Sequence, residues 1–425
     1  MKQQFGAGYW TLFSSVTVSS FADGLRLVAM PLLAFSVTGN AVDISLIMMV
    51  AALPGLLAGP FVGILVDRLD RRRLLALANA SRAVLVFGFA SVVVTGHVEL
   101  WQIYVMTAAL ATAELFAESS TFAMISIPVP PELLEKANSR FFTARMLTQQ
   151  VIGSPVAAAL FGVALSAPFF VEGGLFVAAA VLSLMIPVLR RPGAPAEEAA
   201  PAAPAAPDGP RPSMLGQLRE GLVLVKRTPL LRTILVSEVV LNFWMLIATA
   251  LMVVYAKQDL GLTDSQYAML FTAAALGSLL GSLLVPALVR RVGVKWTMAL
   301  TLLVTGLSRL ALGLADGPVL AIATFFTCGA AIFMWDIAAS SYQQRVTPNH
   351  VQGRLHATLH AMSYGAAVLA ALFGGLLSEL IGVRAVVILG AVAVLVFSAY
   401  WLYLALRDRG AAPEAPAPSD AVTTT

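Results

Sequence analysis

The sequence predicts an all-α membrane protein that crosses the bilayer about twelve times. Three observations predict it. Of 425 residues, 59% are hydrophobic and 12% charged, and the mean hydropathy is +0.84. Soluble domains carry about 25% charged residues, so this chain cannot cover itself with water-compatible groups. Apolar runs recur along the whole chain, each near the ~20 residues that a bilayer core requires. Lys and Arg cluster in alternate connections between those runs. That is a topology signal rather than a nucleic-acid footprint, despite the net charge of +4.

The first run, 10–36, is too long for a cleaved signal peptide and carries Asp23 and Arg26. Runs at 41–66, 74–95, 101–127, 139–165 and 168–189 complete a first set of six. The composition then breaks. Residues 192–212 read PGAPAEEAAPAAPAAPDGPRP, a Pro/Ala linker with too few apolar groups to fold. Met214 to Lys226 has an amphipathic pattern expected to lie on the membrane surface. A second six runs fall at 232–256, 265–289, 296–314, 318–341, 355–380 and 383–406. The expected organisation is an N-terminal six-helix bundle over 1–189, a cytoplasmic linker over 190–231, a C-terminal bundle over 232–409 and a disordered tail over 410–425. The single cysteine, Cys328, excludes an internal disulfide framework.

With the N-terminus in the cytoplasm, the inner connections hold Arg68, Arg71, Arg72, Arg73, Lys136, Arg140, Arg190, Arg191, Arg290, Arg291, Lys295, Arg345 and Arg354. The outer loops hold Lys257 and Arg384 alone. Both termini are therefore expected inside, in a multi-pass protein of the cell inner (plasma) membrane. The halves also repeat. Arg140 and Arg354 are 214 residues apart, and Arg68 and Arg290 are 222 apart, each at a basic connection. Basic loops recurring at nearly one period imply two bundles related by a pseudo-twofold.

The second connection reads Gly63-Ile-Leu-Val-Asp67-Arg68-Leu-Asp70-Arg71-Arg72-Arg73. It resembles the loop motif of the major facilitator superfamily, G-x-x-x-D-R/K-x-G-R-R/K, with Asp70 where that motif has Gly. SSFADGLRLVAMPLLAFSVTGN at 19–40, PPELLEKANSRF at 130–141 and YQQRVTPNHVQGRL at 342–355 extend the resemblance over nearly the whole chain. They look like one branch, the macrolide-efflux and enterobactin-exporter-like proteins (drug:proton antiporter type 3). The resemblance implies the major facilitator fold, a secondary transporter and a gating loop of Gly63, Asp67, Arg68, Arg71 and Arg72. Asp67 would face the N-terminus of the eleventh helix, where a carboxylate stabilises the helix dipole. As topology determinants alone, the arginines would need no such partner. Gly153-Ser154-Pro155 resembles the antiporter Gly-Pro motif of the fifth helix, with alanines and a serine replacing later glycines.

Ionisable residues at bilayer depth are costly and usually functional. The acids of interest are Asp23 on helix 1, Glu114 and Glu118 on helix 4, Glu238 on helix 7 and Asp336 on helix 10. In the superfamily those four helices line the central cavity. Asp23 lies about 20 Å into its helix at 1.5 Å per residue. It sits three residues before Arg26, a spacing that permits an ion pair, structural or coupling. Glu114 and Glu118 share a helix face, and two carboxylates in a low dielectric cannot both ionise cheaply. Asp23, Arg26, Glu114 and Glu118 are therefore the expected proton-coupling residues. Asp336, Trp335, Glu238, Asn242 and Phe116 are the expected substrate cavity. An aromatic beside an acid suits a cationic or amphipathic substrate, although Trp335 would serve equally in helix packing. Arg309 is expected to pair with Asp316 or to reach toward the interface.

His356 and His360 have zinc-compatible spacing but no local acid or cysteine to join them, so no metal is expected. No phosphate-binding loop appears, so neither ATP nor any other cofactor is expected, nor an enzyme's nucleophile–base pair. The sequence reading is a proton-driven exporter of a lipophilic or amphipathic small molecule, monomeric, with no nucleic-acid partner. A siderophore exporter or a non-transporting sensor are the competing readings. An anionic siderophore would want cavity arginines, and a sensor needs neither the loop motif nor the acids.

Overall fold

The structure, a computed structural model, describes residues 5–125, 129, 133–187, 229–346 and 349–407. Within that range the side chains of 60, 61, 63, 64, 67, 68, 134–136, 229–231, 344–346 and 349–364 are not described. The linker with its amphipathic segment, and the tail, lie outside the described residues.

Every element in the described range is helical. The first half comprises α1 (Ala7–Val37), α2 (Ala41–Arg68), α3 (Arg71–Val94), α4 (Leu100–Ile125), α5 and α6 (Ala167–Met185). Helix α5 is composite: Leu134–Met146 passes through the π-helical Leu147–Gly153 into Ser154–Val163. The second half comprises α7 (Pro229–Val254, extended by the π-helical Tyr255–Asp259), α8 (Asp264–Val292), α9 (Val294–Gly313), α10 (Pro318–Val346), α11 (Asn349–Ile381) and α12 (Val383–Arg407). Eleven of these are long and apolar enough to span a bilayer, and α11 adds the apolar Gly365–Ile381.

Local chemistry sets the ends. The Asn40 side chain accepts from Val42 N and caps α2. At α8 the Thr263 hydroxyl and the Gln266 amide form a reciprocal capping box. Gly293 and Gly382, at φ 81° and 83°, are the one-residue joints of α8–α9 and α11–α12, a backbone region that residues with a Cβ avoid. The outward faces are apolar: Val84, Phe122, Val163, Val319 and Leu380 stand exposed, which suits lipid rather than water.

Helices α1, α3, α4, α5 and α6 pack together in the first half, and α8, α9, α10 and α12 in the second. The halves meet through α2 against α11 and α7, and through α5 against α8. Close approach depends on small residues, as membrane helices have no water-driven force between them. A Cβ on Gly281 of α8 would lie 3.1 Å from Ala330 Cα of α10, and a Cβ on Gly375 of α11 would lie 3.1 Å from Val42 Cα of α2. Among the described residues two hydrogen bonds join the halves: Gln258 Nε2 donates to Gly39 O (3.0 Å) and Thr272 Oγ1 donates to Gln150 O (3.1 Å).

Candidate functional site

Four helices of the first half point charges at one another. On α1, Arg26 donates through Nη2 to Asp23 Oδ1 at 2.7 Å and to Glu114 Oε2 of α4 at 2.8 Å. Arg82 of α3 bonds the same Asp23 oxygen and lies 4.0 Å from Glu114 Oε2. From α6, Glu172 brings Oε1 to 3.9 Å from Arg26 Nε, and Phe176, one turn on, stacks its ring 4.0 Å beneath the Arg82 guanidinium. Three carboxylates thus face two guanidinium groups inside the bundle. Each charge taken out of water costs several kcal/mol unless paired, so this cluster holds together only as a network.

Backbone geometry lets α1 reach it. Gly24, next to Asp23, lies against α5: a Cβ there would meet Gln149 O at 2.6 Å and Gln149 Cα at 2.7 Å. Gly153 returns the contact, with Gly24 Cα 2.8 Å from its own would-be Cβ. This is where α5 becomes π-helical. Pro155 has no N–H and crowds the preceding turn, and widening to a π turn accommodates it and frees carbonyls. The freed Gln150 carbonyl accepts from Thr272 of the second half.

The predicted coupling residues separate into two groups. Asp23, Arg26 and Glu114 are brought together. Glu118 is not in their cluster: it accepts from Arg145 of α5 at 2.5 Å, and both side chains are more than 40% exposed. The expected clash between Glu114 and Glu118 is therefore corrected, because each carboxylate has its own guanidinium. Sequence reasoning missed Arg82 and Glu172. Both lie inside the apolar runs 74–95 and 168–189, where an ionisable residue is costly. Arg82 is near the middle of its run and meets the depth criterion that selected Asp23, whereas Glu172 lies close to the start of its helix and does not. Glu172 also corrects the expectation that the important acids sit on helices 1, 4, 7 and 10.

In the second half, Glu238 of α7 accepts from Gln343 Nε2 of α10 at 3.3 Å, and Asp336, also of α10, lies within electrostatic reach of Glu238. Neither forms an ion pair among the described residues, and Asp336 is exposed. Asn242 is half-buried one turn along α7 from Glu238. Trp335 and Phe116 do not join them. Trp335 is buried in a core with Leu241, Met298 and Trp401, and Phe116 packs in the first half near Tyr9 and Phe141. An i, i+1 pair on a helix diverges by about 100°, so the Trp335 ring turns inward where Asp336 turns out. Arg309 donates to Trp244 O at 3.1 Å; Asp316 is taken instead by Arg384 at 2.6 Å, so that expected pair is also corrected.

In the predicted gating loop, the side chains of Gly63, Asp67 and Arg68 lie outside the described residues, as do those of His356 and His360. The described part explains the departure from the motif. Asp70 is the N-cap of α3, accepting from Arg72 N at 3.0 Å and Arg73 N at 3.2 Å. A glycine there would lack the capping oxygen. Arg71 and Arg72 begin that helix, with Arg72 Nε buried and, among the described residues, without a hydrogen-bond partner. A separate cavity of about 360 Å³ lies between Asn40, Gln258, Asp259, Ser378, Glu379 and Val383, where the halves meet away from the charged cluster.

Comparison with known proteins follows the same outline. The chain matches the family described as Major Facilitator Superfamily over residues 12–256 and 239–424. It is 28% identical over 403 residues to the "Uncharacterized MFS-type transporter YfiS" of Bacillus subtilis (strain 168), covering 88% of each chain. It is 25% identical over 405 residues to the "Multidrug efflux pump Tap" of Mycolicibacterium fortuitum, covering 90% of this chain and 94% of that protein. A solved mutant of the nucleoside transporter NupG superposes with a TM-score of 0.72 at 14% identity, over 93% of this chain and 99% of that one.

Proposed function

The chain belongs to the Major Facilitator Superfamily, a multi-pass membrane transporter for a small molecule rather than an enzyme, and from that premise we propose that it is a proton-coupled exporter of a lipophilic, cationic or neutral compound. Both termini would lie in the cytoplasm, following the one-sided distribution of Lys and Arg. Two bundles, with the linker over 190–231 between them, would rock about a central site.

The observation that carries this reading is the division of acids between the halves. The first half holds carboxylates in a network with guanidinium groups, with the exposed pair of Glu118 and Arg145 one helical turn from Glu114. The second half offers Glu238 and Asp336 with no cation paired to them among the described residues. A cationic substrate and a proton compete naturally for such groups, which is the logic of exchange. Asn242 adds a polar contact one turn away. The likeness to Tap supports export and a broad substrate range, and the resemblance of 19–40 and 342–355 to macrolide-efflux proteins points the same way.

The test uses inverted membrane vesicles and a fluorescent lipophilic cation such as ethidium, with a panel of antibiotics as competitors. Energised vesicles should accumulate the dye, a protonophore should abolish that accumulation, and Asp336→Asn should reduce it at least tenfold. Accumulation indifferent to the proton gradient would defeat the antiport reading.

A further inference from the structure

We propose that Glu172 of α6 is the proton store of the transport cycle, filled by way of the exposed Glu118, then Glu114 and Asp23. The proposal rests on the exchange reading above and names the group on which its proton resides.

Three observations converge on Glu172. The first is a gradient of access. Side-chain exposure falls from 43% at Glu118 to 27% at Glu114, 12% at Asp23 and 1% at Glu172. The acids form a series that begins at an exposed face of the bundle and ends in its packed interior. The second is partner accounting. Arg26 commits Nη2 to both Asp23 and Glu114, and Arg82 also bonds Asp23. Among the described residues Glu172 has an ion-pair approach only to Arg26 Nε, at 3.9 Å, and its buried Oε1 has no hydrogen-bond partner. The third is charge. The charged groups acting on Glu172 are Arg26 and Asp23 from α1, Arg82 from α3 and Glu114 from α4. Three acids against two guanidinium groups leave one negative charge unmatched. An unmatched buried carboxylate costs several kcal/mol, and a proton removes that cost without moving any other group.

The same geometry says how release would be felt. Arg26 stands between Glu114, which it holds at 2.8 Å, and Glu172, which it faces at 3.9 Å. With Glu172 protonated, Arg26 is free to hold α4. When the proton leaves to water, the new carboxylate competes for that guanidinium and loosens the α1–α4 tie. No covalent bond changes; one proton moves between water and a carboxylate. Helix α4 also carries Glu118, so the competition reaches its exposed pair with Arg145.

Infrared difference spectra of the purified, lipid-reconstituted protein between acidic and alkaline conditions test this without any transported substrate. The expected result is a carboxylic-acid carbonyl band that appears on acidification, is absent in Glu172→Gln and persists in Glu379→Gln. A band unchanged in Glu172→Gln overturns the proposal. If that variant does not fold, Glu172→Asp replaces it: the band should shift in frequency or in the pH at which it appears, and an unmoved band overturns the assignment. Since the vesicle assay tests exchange separately, dye accumulation indifferent to the proton gradient with an intact Glu172 band would sink the exchange reading and leave the proton site standing.

Discussion

Arg82 ties three helices at once, through Asp23 of α1, Glu114 of α4 and the Phe176 ring of α6. Removing one partner of a buried charge network strands the others, a loss of about 3–5 kcal/mol. Arg82→Ala should therefore lower the thermal unfolding temperature of the detergent-solubilised protein far more than Arg145→Ala, whose pair with Glu118 is solvent-exposed and worth at most about 1 kcal/mol. Arg82→Lys should recover only part of the loss, since an ammonium has neither the planar fork nor the face that stacks on Phe176. Equal destabilisation by Arg82→Ala and Arg145→Ala would refute this account. The sequence marks Asp23, Arg26 and Glu114 as costly at their depth, and the i, i+3 spacing of the first two is legible. What it hides is which way each helix is turned. Glu118 shares a face with Glu114 and still finds Arg145, because the approach of α5 is not written in α4.

Helix α5 shows the same limit at the scale of an element. Gly153-Ser154-Pro155 announces small residues, and the helix departs from α geometry just before them. Pro155 accounts for the π-helical stretch Leu147–Gly153, but the sequence of α5 does not show what packs against it: Gly24 of α1, in contact with Gln149 across the α1–α5 seam. A side chain at position 24 would run into backbone, which cannot rotate away. Gly24→Ala should cost about 1–3 kcal/mol by overpacking, and Gly24→Val should cost more. Because Asp23 is the neighbouring residue, the shift should also disturb the charged cluster. Thermal unfolding of the two variants beside Gly88→Ala, a position with nothing within 4 Å of its Cβ, isolates the seam from any general intolerance of α-helical glycine replacement. If Gly24→Ala matches Gly88→Ala, the close approach carries no energetic weight.

Across the whole molecule, the twelve helices were legible to within a few residues at most ends, because the bilayer admits few lengths and leaves apolar runs long and plain. The repeat of basic connections anticipated two halves. How the halves touch was not legible, since their contacts are made by small residues that look alike in sequence. One of those contacts can be used. The Cβ built on Gly375 of α11 lies 3.5 Å from the Cβ of Ser45 on α2, within the span of a disulfide, about 3.5–4.5 Å. Ser45→Cys with Gly375→Cys, made in a Cys328→Ser background to remove the one native thiol, should cross-link on oxidation. If the bundles rock about a central site, α2 and α11 must part here once per cycle, and the bond forbids it. Dye accumulation in vesicles should then stop on oxidation and return on reduction with dithiothreitol. Undiminished accumulation by fully cross-linked protein would mean that α2 and α11 stay together through transport, and that access alternates by some motion within each half instead.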